Sequence, residues 1–150
     1  MSDLRDLYQE VILDHNRNPR NFGVLDHPTH QAQGVNPLCG DQLQVFLRLN
    51  DGVIEEVRFE GRGCAISTAS ASIMTEILKG LSVDQADHCF EVFHAMATGA
   101  ATPGAADLDL AKLEVLSGVR EFPARVKCAT LAWHALNSAL HHAGGKVTTE

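Results

Sequence analysis

Apolar side chains at Leu4, Leu7, Tyr8, Val11 and Ile12 recur at spacings of three and four, which predicts an amphipathic helix over residues 3–15. Asn18-Pro19 breaks that pattern, and a loop of Gly, Asp, His and Pro follows. Residues 42–49 then alternate, with Leu43, Val45, Leu47 and Leu49 on one face and Gln42, Gln44 and Arg48 on the other. Asn50-Asp51-Gly52 is a tight-turn signal, and Val53, Val57 and Phe59 share a face of a returning strand over 53–60. A further strand is expected within 31–36. After Gly63 the period changes: Ile66, Ala69, Ser70, Ile73, Ile77 and Leu81 keep helical spacing, with Gly80 as the stop. Val83, Ala86, Phe90, Phe93 and Ala97 mark a helix over 83–97. A small-residue linker over 98–104 and a short helix near 107–117 come next. Val126, Ala129, Trp133, Leu136 and Leu140 define a last helix that ends near Gly144-Gly145. Strands first and helices afterwards predict an α+β domain, with a small antiparallel sheet of about three strands and helices packed on one face.

The 150 residues, 45% of them hydrophobic, are enough for one domain over 1–150 with a real core. Twelve basic against nineteen acidic residues give a formal charge of −7, and the only basic run is Arg17-Asn18-Pro19-Arg20. That balance argues against nucleic acid and anionic membrane surfaces as partners. No apolar run approaches the roughly 18–20 residues of a membrane span, and the acidic start is unlike a leader, so a soluble cytoplasmic protein is expected.

Cysteines stand at 39, 64, 89 and 128. With a full-sized core, disulfides are not needed, which leaves core filler, metal ligand or reactive thiol as the readings. Cys39 falls in a turn before the first clear strand, Cys64 where the hairpin gives way to a helix, and Cys128 near the start of the last helix. A helix N-terminus stabilises a thiolate, the form that binds metal or attacks sulfur. Gly40, Gly61 and Gly63 would let backbone approach a bound centre. Asp41 adds a hard oxygen, so three thiolates and a carboxylate would suit tetrahedral zinc, or iron with sulfide. No CxxC pair occurs, and a lone Cys is more often a small buried hydrophobe.

Three motifs carry a resemblance: Asn36-Pro37-Leu38-Cys39-Gly40-Asp41, then Gly61-Arg62-Gly63-Cys64-Ala65-Ile66-Ser67-Thr68-Ala69-Ser70, then Lys127-Cys128-Ala129. With Leu7-Tyr8 through His15 and Asn18-Pro19-Arg20-Asn21, they resemble the U-type iron–sulfur assembly family of IscU, SufU and the N-terminal part of NifU. The likeness runs along nearly the whole chain and implies a SufE/NifU-like fold. The IscU branch has a His before its third cysteine and a Leu-Pro-Pro-Val-Lys segment. Here Lys127 takes the His position, and Arg120-Glu121-Phe122-Pro123-Ala124-Arg125-Val126 precedes it. Sixty-four residues separate Cys64 from Cys128, which is longer than in the IscU branch and resembles SufU.

The SufU resemblance implies a zinc-dependent sulfur carrier working with a SufS-type cysteine desulfurase and passing sulfur to a downstream iron–sulfur scaffold or acceptor protein. Cys39 would accept sulfur as a persulfide. Asp41, Cys64 and Cys128 would hold zinc, with Cys39 as the fourth ligand at rest. Arg125 and Lys127 would stand just outside the ligands, or else be surface charges at a helix start. The alternative is a scaffold assembling a [2Fe–2S] cluster on the same residues. Whether the protein counts as a catalyst, of sulfurtransferase type, stays open on this reading. Cys89 reads as core filler. His88 and His94 fall on different helix faces, His134 and His141 share a face but are too far apart for a metal pair within one helix, and Arg17 and Arg20 are candidate docking charges.

Overall fold

Asp51 and Gly52 adopt positive φ angles of 52° and 75°, the pairing that a two-residue hairpin turn requires. The hairpin read from Asn50-Asp51-Gly52 is therefore formed, and the sheet grows from it. The computed structural model describes residues 2–36, 40–98, 123–142 and 146–148. In chain order the elements are α1 (Ser2–Arg17), β1 (His30–Asn36), β2 (Asp41–Asn50), β3 (Val53–Arg62), α2 (Ala65–Leu78), α3 (Val83–Thr98), α4 (Pro123–His142) and β4 (Lys146–Thr148).

The sheet order is β3-β2-β1-β4. The first three of these strands are antiparallel neighbours, as the alternation predicts, with Asn36 opposite Asp41, Ala32 opposite Val45, and Val45 opposite Phe59. β4 was not expected. It pairs in parallel with β1, and three residues are too few to carry an alternation signal. α2 ends at Leu78, short of Leu81. Gly80 has φ +93°, and its N–H donates to the Ile54 carbonyl at 2.8 Å. Ile54 N–H in turn donates to the Leu81 carbonyl at 2.8 Å. Leu81 thus serves the start of β3 and not the helix. The expected linker over 98–104 lies outside the described residues beyond Thr98, and so does the short helix near 107–117.

Every second strand residue points at the helices. Leu43, Val45, Leu47, Val57 and Phe59 are fully buried and form one core with Ile73, Met74, Leu131 and Trp133. Gly34 allows α4 to lie almost on the β1 backbone, since a Cβ there would come within 3.0 Å of Leu131 Cδ1. α2 is fastened to α4 by a buried polar chain. Trp133 Nε1 donates to Ser70 Oγ at 3.1 Å, and Ser70 Oγ donates to the Ala129 carbonyl at 2.5 Å. The Trp133 ring also stacks on Phe93 at 4.5 Å, which brings α3 onto the same helix.

α1 is held on α2 by buried His15. Its Nδ1 lies 2.7 Å from Ser72 Oγ and its Nε2 lies 3.5 Å from Glu76 Oε1. Ser72 Oγ also accepts the Arg20 N–H at 2.8 Å, which pins the turn after α1. Buried polar groups that are paired in this way fix helix position at little energetic cost. Among the described residues no helix is long and apolar enough to cross a membrane.

Candidate metal centre

Three elements deliver one side chain each to a single corner of the domain. Asp41 opens β2 and is fully buried. Its Oδ1 accepts the Cys64 N–H at 2.9 Å, so the end of the hairpin is tied back to the start of β2. Cys64 is the N-cap of α2, with φ −69° and ψ 168° and no side-chain capping bond. Its sulfur is thus free of the capping role that Ser or Asp would take there.

Two glycines make this approach possible. Gly61 has φ +137°, and a Cβ there would run into the Gln42 carbonyl. A Cβ at Gly63 would sit 2.6 Å from Asp41 Oδ1. Gly40 has a different job from the close approach expected of it: with φ +73° and open space around it, it turns the chain. Its N–H donates to the Asn36 carbonyl at 2.9 Å.

Cys128 is fully buried in α4. Because the helix begins at Pro123, a residue suited to the first helical position, Cys128 falls in the second turn. The thiol is near the helix start, as expected, but not in its first turn. Its backbone lies beyond the free N–H groups of the first turn, so its setting comes from packed neighbours. One of these is buried Asn36, whose Nδ2 donates to Cys128 Sγ at 3.7 Å.

The ligand atoms of Asp41, Cys64 and Cys128 all lie within 4.8 Å of one another. Asp41 Oδ2 is buried and has no hydrogen-bond partner among the described residues. An unpaired buried carboxylate oxygen is costly, and a cation is the direct remedy. Two soft sulfurs and one oxygen suit zinc or iron better than magnesium or calcium. The described residues therefore fit three of the four positions around a zinc or iron ion. Cys39 lies outside the described residues. Arg125 lies in α4, but its side chain is outside the described set, and Lys127 is half-buried beside Cys128.

The remaining candidates lie elsewhere. Cys89 is fully buried in α3, and burial pushes its thiol up to about 12 from 9.0. His94 and His134 meet across α3 and α4 with ring centroids 5.9 Å apart. Burial first, and then the neighbouring His94, lower the pKa of His134. His141, exposed at the end of α4, pairs with Asp87 at 2.8 Å. Arg20 Nη2 lies 2.6 Å from the Asp14 carboxylate. Two buried polar residues were missed as individuals. Asn36 and Ser67 both sit inside quoted motifs, but their burial depends on which neighbours fold over them.

A four-stranded sheet, antiparallel but for β4, with a carboxylate and thiols gathered where β2 starts and α2 begins, defines a small α+β domain with a candidate metal centre. The chain belongs to the family described as the NifU-like N terminal domain, which matches residues 7–129. It is 42% identical over 139 residues to the zinc-dependent sulfurtransferase SufU of Bacillus subtilis, covering 93% of this chain and 92% of that protein. It is 40% identical over 140 residues to the iron–sulfur cluster assembly scaffold protein IscU of Streptococcus pyogenes, covering 93% and 86%. Among solved structures it resembles the N-terminal part of a nitrogen-fixing NifU-like protein from Brucella abortus. There the TM-score is 0.79 at 26% identity, over 91% of this chain and 94% of that one.

Proposed function

We propose that this chain, acting as a single domain in iron–sulfur cluster assembly, is a zinc-dependent sulfur carrier that takes persulfide sulfur from a cysteine desulfurase. The observation that carries this reading is the cluster of Asp41, Cys64 and Cys128, whose ligand atoms lie within 4.8 Å, with a carboxylate oxygen that has no partner among the described residues. Structural zinc sites are closed by four protein ligands, whereas working sites keep one position exchangeable. Cys39 is the natural occupant of that position. It stands two residues before Asp41, so chain connectivity holds its Cα within about 7 Å of the Asp41 Cα.

Zinc would keep the bound sulfurs as thiolates and, having no redox chemistry, would leave the oxidation state of the travelling sulfur alone. The Cys39 thiolate attacks the outer sulfur of the partner's cysteine persulfide. One S–S bond forms on Cys39 as the other breaks, and the partner's cysteine leaves as a thiolate. Asp41, Cys64 and Cys128 hold the site together while Cys39 is away. Similarity to the Bacillus sulfurtransferase, with Lys127 in the position of the IscU His, supports a SufS-type desulfurase as donor and a downstream scaffold as acceptor. None of the three described cysteines is in a disulfide, which supports a reducing compartment, the cytoplasm.

A second reading, assembly of a [2Fe–2S] cluster on the same ligands, is favoured by the nearly equal likeness to the Streptococcus scaffold protein. One experiment separates the two. The protein is purified without oxygen, assayed for zinc, iron and sulfide, and mixed with a cysteine desulfurase and cysteine. Bound zinc and several-fold faster alanine release, both features of the parent, with the acceleration lost in Cys39→Ala, is the carrier outcome. Stoichiometric iron and sulfide with an unchanged desulfurase rate overturns it in favour of the scaffold.

A further inference from the structure

We infer that Asn36 is a positioning residue of the metal site, whose side-chain amide donates to the Cys128 sulfur and sets how tightly the site holds its metal. This rests on the metal-site reading above and assigns a role to a residue outside its ligand set.

The geometry that points to it has two parts. Asn36 is the last residue of β1, is fully buried, and stands directly opposite Asp41 in the sheet register. Its Nδ2 donates to Cys128 Sγ at 3.7 Å, and its own carbonyl accepts the Gly40 N–H at 2.9 Å. One residue therefore touches the helix that brings Cys128 and closes the turn that leads into Asp41. Cys39 lies in the three residues that this backbone bond spans.

The chemistry favours a bond that matters when metal is present. A neutral thiol is a weak acceptor. The same sulfur as a metal-bound thiolate carries charge, and a hydrogen bond to an ionised acceptor is roughly twice as strong as a neutral one. Cys128 is fully buried, so water cannot supply that bond in place of the amide. Groups that orient and hydrogen-bond a ligand commonly change metal affinity by about 10- to 100-fold. A donor on the sulfur also draws electron density away from it, which raises the energy of sulfur-to-metal charge transfer.

The test uses the full chain loaded with Co²⁺, and compares it with Asn36→Ala and with Asn36→Asp, which keeps the shape and removes the donor. Zinc affinity is measured by chelator competition, and the sulfur-to-cobalt band by absorption. Both variants should bind zinc about 10- to 100-fold more weakly, with the charge-transfer band moved to longer wavelength, and Asn36→Asp should be the weaker of the two. A residue that only supports the fold would lower the melting temperature and leave the band where it is. A measurement on the unaltered chain guards against variants that do not fold. With cadmium-113 bound and asparagine side chains labelled with nitrogen-15, one Asn36 Nδ2 proton should show scalar coupling to the metal. Unchanged affinity and band in a folded variant, or absence of that coupling, overturns the assignment while the site reading stands. A parent protein that takes up neither Co²⁺ nor Zn²⁺ overturns both.

Discussion

Cys89 and Cys128 are equally buried, both on helices and both walled off from solvent, yet they sit in opposite kinds of surroundings. Around Cys89 the neighbours are core side chains, and burial alone pushes its thiol up to about 12. Around Cys128 stand a carboxylate, a second thiol and an amide donor. Depth therefore says little about what a cysteine does. A thiol becomes a ligand when other donors are delivered to the same point, and three separate elements do that here.

Removing one thiol or the other should have opposite consequences for metal binding. Cys128→Ala should lower zinc affinity by about 100-fold or more, because a three-residue cluster loses a donor. Cys89→Ala should leave zinc affinity and desulfurase stimulation unchanged and cost about 1 kcal/mol of stability. Zinc content by mass spectrometry and urea denaturation check both. Equal metal loss in the two variants would remove the distinction.

The next effect belongs to Cys89 alone. Its thiol ionises near 9.0 when unfolded and near about 12 when folded, so the folded state keeps its proton longer. Stability is fully present below pH 9 and is lost as pH rises from 9 through 12, by at most about 4 kcal/mol. The measurement is the difference in denaturation midpoint between parent and Cys89→Ala across that range. The gap should change as the pH climbs, and a constant gap would contradict it.

The smallest effect comes from the same side of the molecule. His134 is half-buried, and burial together with His94 lowers its pKa. The unfolded chain takes up this proton first as pH falls below about 6.5, so stability is complete above that value and declines beneath it. Replacing His134 with Asn should flatten this slope in urea titrations between neutral and mildly acidic pH.

Local pattern made a good part of this legible. Alternation at Leu43, Val45 and Leu47 placed β2, and Asp51-Gly52 placed the turn, because period and φ preference are properties of neighbouring residues. The end of α2 was less legible. Leu81 kept helical spacing, but hydrogen bonds between Ile54 and the 80–81 turn claimed it for the sheet. β4 left no pattern at all, since a three-residue strand exists only through its partner β1. The histidines show the same limit. Spacing along one helix does not show that His94 and His134 meet, because their contact is between helices.

By itself the sequence determined the α+β class, the order of the principal elements, and the motifs that mark the chain as a relative of IscU, SufU and NifU. It also singled out Asp41, Cys64 and Cys128 as candidates, because the residue types and the glycines beside them are written locally. Only the tertiary structure brought these three within 4.8 Å, left one Asp41 oxygen without a partner among the described residues, and set the Asn36 amide against Cys128. The physical reason is distance along the chain. Asn36 and Cys128 are 92 residues apart, and a contact of that span is decided by how α4 packs over β1, a matter of volume and burial that no local window records.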